Sequence, residues 1–299
     1  MNYYEVKMAH PEQQYLDLLR TLVTKGEKRQ GRNGLVRSTF AHRLQFDVAQ
    51  FGFPLLTTKR VFWRGVVTEL LWFLRGQTDA NLLKDQGVHI WDGNSSVAFL
   101  KERKLDYPEG ECGPIYGHQI RCFGGDPKTK KGGRDQLKDV VDQLINDPNS
   151  RRIIISMWNP LQNDNMCIPP CHVLYQFFLG SDGLSCQLLC RSQDVACGTP
   201  FNIASAALLT TIFAHIIKVK VDRIILVTGD THLYEQHVEG ASVQMERQPH
   251  QFPSVKILRE APAQSNIDDI IAWIESLTPD DIQLQDYVCH APIKYDMVA

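Results

Sequence analysis

Two apolar runs, HVLYQFFLG (His172–Gly180) and GLSCQLLCRSQD (Gly183–Asp194), are joined by the turn residues Ser181-Asp182-Gly183. No other feature limits the fold as much, because this is the signature of a long hairpin. NIASAALLTTIFAHIIK follows and reads as a long buried helix, and DRIILVTGDTHLY reads as a further strand ending in a loop. Upstream, EQQYLDLLRTLVTKG carries Tyr15, Leu18, Leu19 and Leu22 at helical spacing, with Gly26 as the stop. RQGRNG is turn-rich, and STFAHRLQFDV roughly alternates, as a strand does. FPLLTTKRVFWRGVVTELLWFLRG opens as a loop and becomes a helix with Val66, Leu70, Leu71, Phe73 and Leu74 on its apolar face, ended by Gly76. NLLKDQGVHIWDG predicts a short helix and a loop, PKTKKGGRD a surface loop, and DQLKDVVDQLINDP an amphipathic helix that stops before Pro148. RRIIISMWNP predicts a strand with two arginines at its mouth. Helices and strands mix without a βαβ rhythm, which predicts an α+β fold with one large, mixed or mostly antiparallel sheet, in a single domain over residues 1–299.

The 299 residues are 43% hydrophobic and 22% charged, ordinary for a globular chain with one large core. The formal net charge is −2, so no global cationic field favours nucleic acid or an anionic membrane, and any anion site must be a local arginine cluster. The first residues show no basic stretch followed by an apolar one, and the longest apolar run, ASAALLTTIFAHIIKV, is interrupted by Thr, His and Lys. The expected compartment is the cytoplasm, with the nucleus as the alternative.

CIPPCHVLYQFF poses the main chemical question. Of eight cysteines, none forms a C-x-x-C pair, and reduced thiols are expected. Cys167/Cys171 and Cys186/Cys190, with His172, allow a zinc reading. Against it, Pro169 and Pro170 stiffen the first loop and the second pair lies in a strand-like run. A cysteine beside a strand is otherwise a small buried hydrophobe or, if activated, a nucleophile.

Taken together, FPLLTTKRVFW, ELLWFLRG, IWD, GPIYGHQ, RRIIIS, PPCH, LSCQL, RS-x-D, PFNIAS, GDTHLY and the tail IK-x-DMVA resemble the thymidylate synthase family over nearly the whole chain. The resemblance implies reductive methylation of dUMP to dTMP, with 5,10-methylenetetrahydrofolate as one-carbon and hydride donor and no metal. It makes Cys171 the nucleophile toward C6 of the uracil ring, with Arg191 favouring the thiolate. It assigns the 5′-phosphate to Arg32, Arg191 and Ser192 of one chain and Arg151 and Arg152 of a partner, and so implies a homodimer packed sheet to sheet. Gln193 and Asp194 join the dUMP set. Asn202 matches the amide that reads O4 and N3–H of uracil, and a plain helix N-cap is its other reading. His232 and Tyr234 match the pair that holds the 3′-hydroxyl.

Glu69 stands on an otherwise apolar helix, where a carboxylate is costly unless it faces a polar cavity. The resemblance makes it the acid–base group, and gives Tyr116 the C5 proton and Asp194 the pterin ring. Ile90, Trp91, Asn94, Gly198, Phe201 and Val298 are the folate-slot set, and the tail is expected to act as a lid.

The chain departs from the family pattern in several places. The arginine-bearing turn RNGLVRS is one residue shorter than usual, Ile120 stands where tryptophan is common, and the tail reads MVA for MAV. Leu189, Cys190, Ala196, Cys197, Thr199 and Ala206 mostly replace larger side chains. Two alternatives remain in view: a hydroxymethylase of the same fold, against which Asn202 and Trp91 argue, and a non-catalytic relative that binds nucleotide or its own mRNA.

Overall fold

The computed structural model describes residues 9–298; the readings of the first eight residues and of the terminal Ala299 fall outside them. Helix α1 (Gln13–Lys25) buries Tyr15, Leu16, Leu18, Leu19 and Leu22, the stripe its spacing predicts. It ends at Gly26, where an added Cβ would lie 2.5 Å from the Leu22 carbonyl oxygen. Strands β1 (Glu27–Gly31) and β2 (Gly34–Asp47) form a hairpin, and Arg32-Asn33 are its turn. The turn needs Gly34, whose φ is +138°, a value that L side chains rarely adopt. The sequence reading had only a turn-rich stretch at β1. That strand is exposed along both faces and therefore shows no alternation.

Helix α2 (Trp63–Leu74) is buried along nearly its whole length, α3 (Tyr116–Cys122) follows, and α4 (Gln136–Asn146) is capped by the Asp135 carboxylate accepting from Lys138 N–H. Strand β3 is only Ile154–Ser156, so Arg151 and Arg152 belong to the turn before it. β4 (His172–Gly180) and β5 (Gly183–Asp194) form the expected hairpin. Helix α5 (Gly198–Ile217) has twenty residues and is long and apolar enough to cross a bilayer by composition. It is instead packed into the protein's own core against β5, β6 and α2, with Ile203, Leu208, Leu209, Ile212 and Phe213 buried. It begins four residues before Asn202, which is therefore inside the helix and not its N-cap.

Strand β6 runs unbroken from Val221 to Tyr234, so GDTHLY is strand and not the loop its polar residues predict. Short helix α6 (Val238–Gln244), strand β7 (Ser254–Ile257), helix α7 (Ile267–Ser276) and strand β8 (Ile282–Gln285) complete the order. The main sheet runs β1-β2-β6-β5-β4-β3, with β5 and β6 parallel and every other pair antiparallel, while β7 and β8 pair separately. The expected α+β fold with a large, mostly antiparallel sheet is what forms. Trp72, Phe46, Phe213 and Tyr15 are the largest wholly buried side chains of the core. The parallel register sets Ser192 beside Asp230 and Asp194 beside His232, so the chemistry-bearing ends of β5 and β6 emerge together.

Candidate active site

One cavity of about 910 Å³ opens where those strand ends meet α2, α5 and the C-terminal tail. Its wall contains Arg32, Glu69, Ile90, Trp91, Asn94, Tyr116, Cys171, Arg191, Ser192, Asp194, Gly198, Phe201, Asn202, His232, Tyr234 and Val298. The structure thus brings together sixteen residues that the sequence singles out. Arg151 and Arg152 are exposed and outside this wall. Gln193 is 2% exposed and lies behind the wall, in contact with Asn202.

Cys171 sits just ahead of β4, at the end of the Pro169-Pro170 stretch. The prolines lack N–H groups but keep their carbonyls, and these hold the neighbouring arginine. Arg191 Nε donates to Pro170 O and Nη2 to Pro169 O, each at 2.8 Å. Arg191 N–H also donates to Cys171 O at 2.9 Å. The guanidinium lies over the Trp158 ring, 5.3 Å from its centroid. Burial pushes the Cys171 thiol up, while the Arg191 charge and the Tyr116 hydroxyl act to lower it. The expectation that Arg191 favours the thiolate holds in sign, but burial outweighs it. Tyr116 fixes Cys171 from the other side by accepting from Cys171 N–H at 2.8 Å. Its ring is stacked on Phe73 at 4.8 Å and set edge-on to Trp91 at 5.8 Å.

Glu69 faces this aromatic group from α2. Burial raises its carboxyl to about 7, against the pull of Trp91 Nε1, which donates to Oε1 at 2.8 Å. A carboxyl poised there exchanges protons near neutrality. Asp194 ends β5, and one of its oxygens accepts from Ala196 N–H at 2.9 Å and Cys197 N–H at 3.1 Å, which fixes the carboxylate at the start of α5. Asn202 lies one turn into α5, with Nδ2 donating to Gln193 Oε1 at 3.2 Å. His232 Nδ1 pairs with Asp230 Oδ1 at 3.2 Å, and Tyr234 stands edge-on to the His232 ring at 5.4 Å. Arg32 joins the wall from its hairpin turn, 5.7 Å from the Phe99 ring centroid.

The sequence reading missed Lys59, Tyr295 and the wall role of Cys197 and Cys167. Lys59 is 8% exposed; its Nζ donates to Ala196 O at 2.7 Å and lies 4.3 Å from the Tyr295 ring centroid. Burial lowers the ammonium to about 8, with Cys197 and Asp194 acting the other way. A lysine between threonines and an arginine carries no periodic signal. The loop that bears it is fixed by Glu12, a wholly buried carboxylate that takes the N–H and hydroxyl groups of Thr57 and Thr58 at 2.6–2.8 Å. Cys190, Ala196, Thr199 and Ala206, four of the small-for-large positions, are buried in the wall's support.

For the zinc reading, Cys167, Cys171 and His172 do not assemble. Among the described residues, Asp194, Cys197 and His237 are the grouping whose ligand atoms fall within 4.8 Å of one another. The Lys59 charge acts on that group, which disfavours a cation there.

The large, mostly antiparallel sheet thus gathers a thiol, a guanidinium and a primary amide around one cavity. The family model described as thymidylate synthase matches residues 13–299, and the chain belongs to that family. It is 44% identical over 295 residues to the thymidylate synthase of human herpesvirus 8, covering 96% of this chain and 84% of that protein. It is 43% identical over 297 residues to that of equine herpesvirus 2, covering 97% and 99%. Against the bifunctional dihydrofolate reductase-thymidylate synthase of Leishmania major the identity is 41% over 301 residues, covering 98% of this chain but 56% of that protein.

Proposed function

We propose that this protein methylates dUMP to dTMP and converts 5,10-methylenetetrahydrofolate to dihydrofolate. The observation that carries the reading is that the Cys171 thiol, the Arg191 guanidinium and the Asn202 amide share one cavity. In this account Cys171 adds to C6, electron density moves toward O4, and C5 becomes nucleophilic. Arg32, Arg191 and Ser192 take the phosphate, where planar guanidinium forks match its oxygens. Asn202 reads the base edge, and His232 and Tyr234 hold the sugar. Glu69, near neutrality, supplies and removes protons. The folate fits the apolar part of the cavity, formed by Ile90, Trp91, Phe201 and Val298, with the Asp194 carboxylate available to a heterocyclic N–H. It supplies the one-carbon unit and the hydride, and the tail excludes water from the site.

The protein works as a homodimer in this reading, and Arg151 and Arg152 complete the phosphate site of the partner subunit. Their exposure outside the cavity supports this, as do Phe40 and Phe178, sheet residues that are 78% and 68% exposed in the single chain. Mixing an inactive Arg151→Ala variant with an inactive Cys171→Ser variant is then expected to restore activity. The decisive test of the reaction is 5-fluoro-dUMP with the folate. A covalent adduct on Cys171, seen by mass spectrometry and lost in Cys171→Ser, is expected. A folded wild-type protein that forms none refutes the catalytic reading.

A further inference from the structure

Asp230 and His232 are two residues apart on β6, so their side chains stand on one face of the strand. Both belong to the cavity wall. The two oxygens of the Asp230 carboxylate have different partners. Oδ1 lies 3.2 Å from His232 Nδ1, and Oδ2 accepts from Arg29 Nη1 at 3.1 Å. Arg29 is on β1, the strand that leads into the Arg32 turn. Tyr234 stands edge-on to the His232 ring at 5.4 Å and 86°.

An ionised carboxylate offers acceptors only, so its contact with Nδ1 is a hydrogen bond only when the proton is on Nδ1. A lone imidazole can carry its proton on either nitrogen, and the bond that one nitrogen makes decides the state of the other. In the neutral ring, Nδ1–H leaves Nε2 as a bare acceptor. Among the described residues Nε2 has no hydrogen-bond partner, and it is not one of the enclosed, unpartnered atoms, so it is open to the cavity that its residue lines. The side chains of Arg29 and Asp230 are 54% and 40% exposed, so their ion pair adds little to stability. Its effect is directional: it occupies Oδ2 and leaves Oδ1 to the histidine.

We propose that Asp230 is a positioning residue: it holds the His232 ring with the proton on Nδ1 and the bare Nε2 toward the nucleotide sugar, and so makes the site selective for a free 3′-hydroxyl, which can donate to that nitrogen. The proposal rests on the reading of the cavity as a dUMP site. Binding of dUMP to the wild-type protein tests that reading separately, and the proton position on the ring can be measured whether or not dUMP binds.

Two measurements test the proposal. The first is the nitrogen-15 spectrum of the histidine rings in the ligand-free wild-type protein at about pH 8, where an ordinary imidazole is neutral. The His232 signals are assigned by their loss in His232→Gln. Nδ1 is expected to be protonated and Nε2 bare, and any other pattern overturns the proposal. The second compares the Kd of dUMP with that of 2′,3′-dideoxyuridine 5′-monophosphate, which lacks the hydroxyl, by calorimetry. It uses wild type and Asp230→Ala, with folding checked by circular dichroism. The ratio of the two constants measures what the hydroxyl contributes. It is expected to be about tenfold in the wild type and to fall by at least about threefold in the variant. A role in folding alone would weaken both nucleotides alike and leave the ratio where it was. A wild-type ratio near one overturns the proposal, as does a folded variant whose ratio falls by less than about threefold. Should the variant not fold, the ring spectrum of the wild type still decides.

Discussion

Cys171, Arg191, Asp194 and Asn202 stand on strand ends and a core helix, while Arg32, Tyr295 and Val298 stand on a hairpin turn and a tail, although both sets face one cavity. In the first set, Arg191 N–H bonds Cys171 O, Tyr116 takes Cys171 N–H, and Asp194 takes two amides of the α5 start, so each group is oriented by the ladder and core around it. In the second, the tail rests on separate contacts. His290 N–H donates to Thr57 O at 2.8 Å, Arg247 Nη1 to Ala291 O at 2.7 Å, and Tyr295 hydroxyl to Gln244 Oε1 at 3.0 Å. On the proposed function, the difference separates bond-making chemistry, which needs fixed geometry, from closure, which must open to admit and release ligands. Changes in the wall are expected to strike the chemical step, and changes in the lip to strike closure.

The largest effect should come from the wall. Cys171→Ser is expected to lower kcat on the order of a thousandfold or more, since a serine hydroxyl is a far weaker nucleophile than a thiolate. Glu69→Gln is expected to cost about 10²–10⁴ in kcat and to carry a stability signature of opposite sign. The folded carboxyl is at about 7 against a usual 4.5. Its stabilising contribution is therefore present below pH 4.5 and lost as pH rises through 7. Removing the charge should stabilise the fold at pH 8 by up to roughly 3 kcal/mol while changing little at pH 4. Thermal melts at the two pH values check this; equal shifts at both would mean that burial does not raise the Glu69 carboxyl.

A lip change that spares the wall sharpens the contrast. A Cβ at Gly240 on α6 would lie 2.7 Å from the Tyr295 ring and 2.9 Å from Ile293 Cγ2, so Gly240→Ala should push the tail away without touching the strand ends. The expected result is a kcat about tenfold lower with the affinity for dUMP unchanged. Loss of dUMP binding together with kcat would show that wall and lip are one unit.

The two regions also differ in how far the sequence exposes them. The wall was legible because each group is embedded in a strand or helix whose neighbours are apolar: Glu69 within TELLWFL, Cys171 before VLYQFF, Arg191 after LSCQLLC. The later half of β6 was not, because GDTHLY turns polar where the strand faces the cavity, and polarity reads as loop. The start of α5 was missed for a related reason. Gly198, Thr199 and Pro200 look like a turn, yet a helix's first turn tolerates proline. Lys59 was invisible because its setting is created by distant segments, the buried carboxylate of Glu12 on one side and the Tyr295 ring of the tail on the other.

Lys59 gives the smallest prediction, and it tests whether the lip responds to pH. Two effects oppose each other there. The ring of Tyr295, 4.3 Å away, attracts the ammonium, an interaction of about 0.5–2 kcal/mol. Burial disfavours the same charge and, against the pull of Cys197 and Asp194, lowers the ammonium from 10.5 to about 8. A charge disfavoured in the closed arrangement is one that opening relieves. As pH rises from about 8 toward 10.5 the penalty disappears, so the closed tail should become more favoured. The protection of the Tyr295 amide against hydrogen exchange, normalised to intrinsic rates, is expected to rise severalfold between pH 7 and pH 9. Lys59→Met, which keeps the stem over the ring and has no charge to lose, should flatten that dependence. Protection that falls with pH would mean that the aromatic attraction outweighs burial, and the lip would then be held by the same kind of fixed contact as the wall.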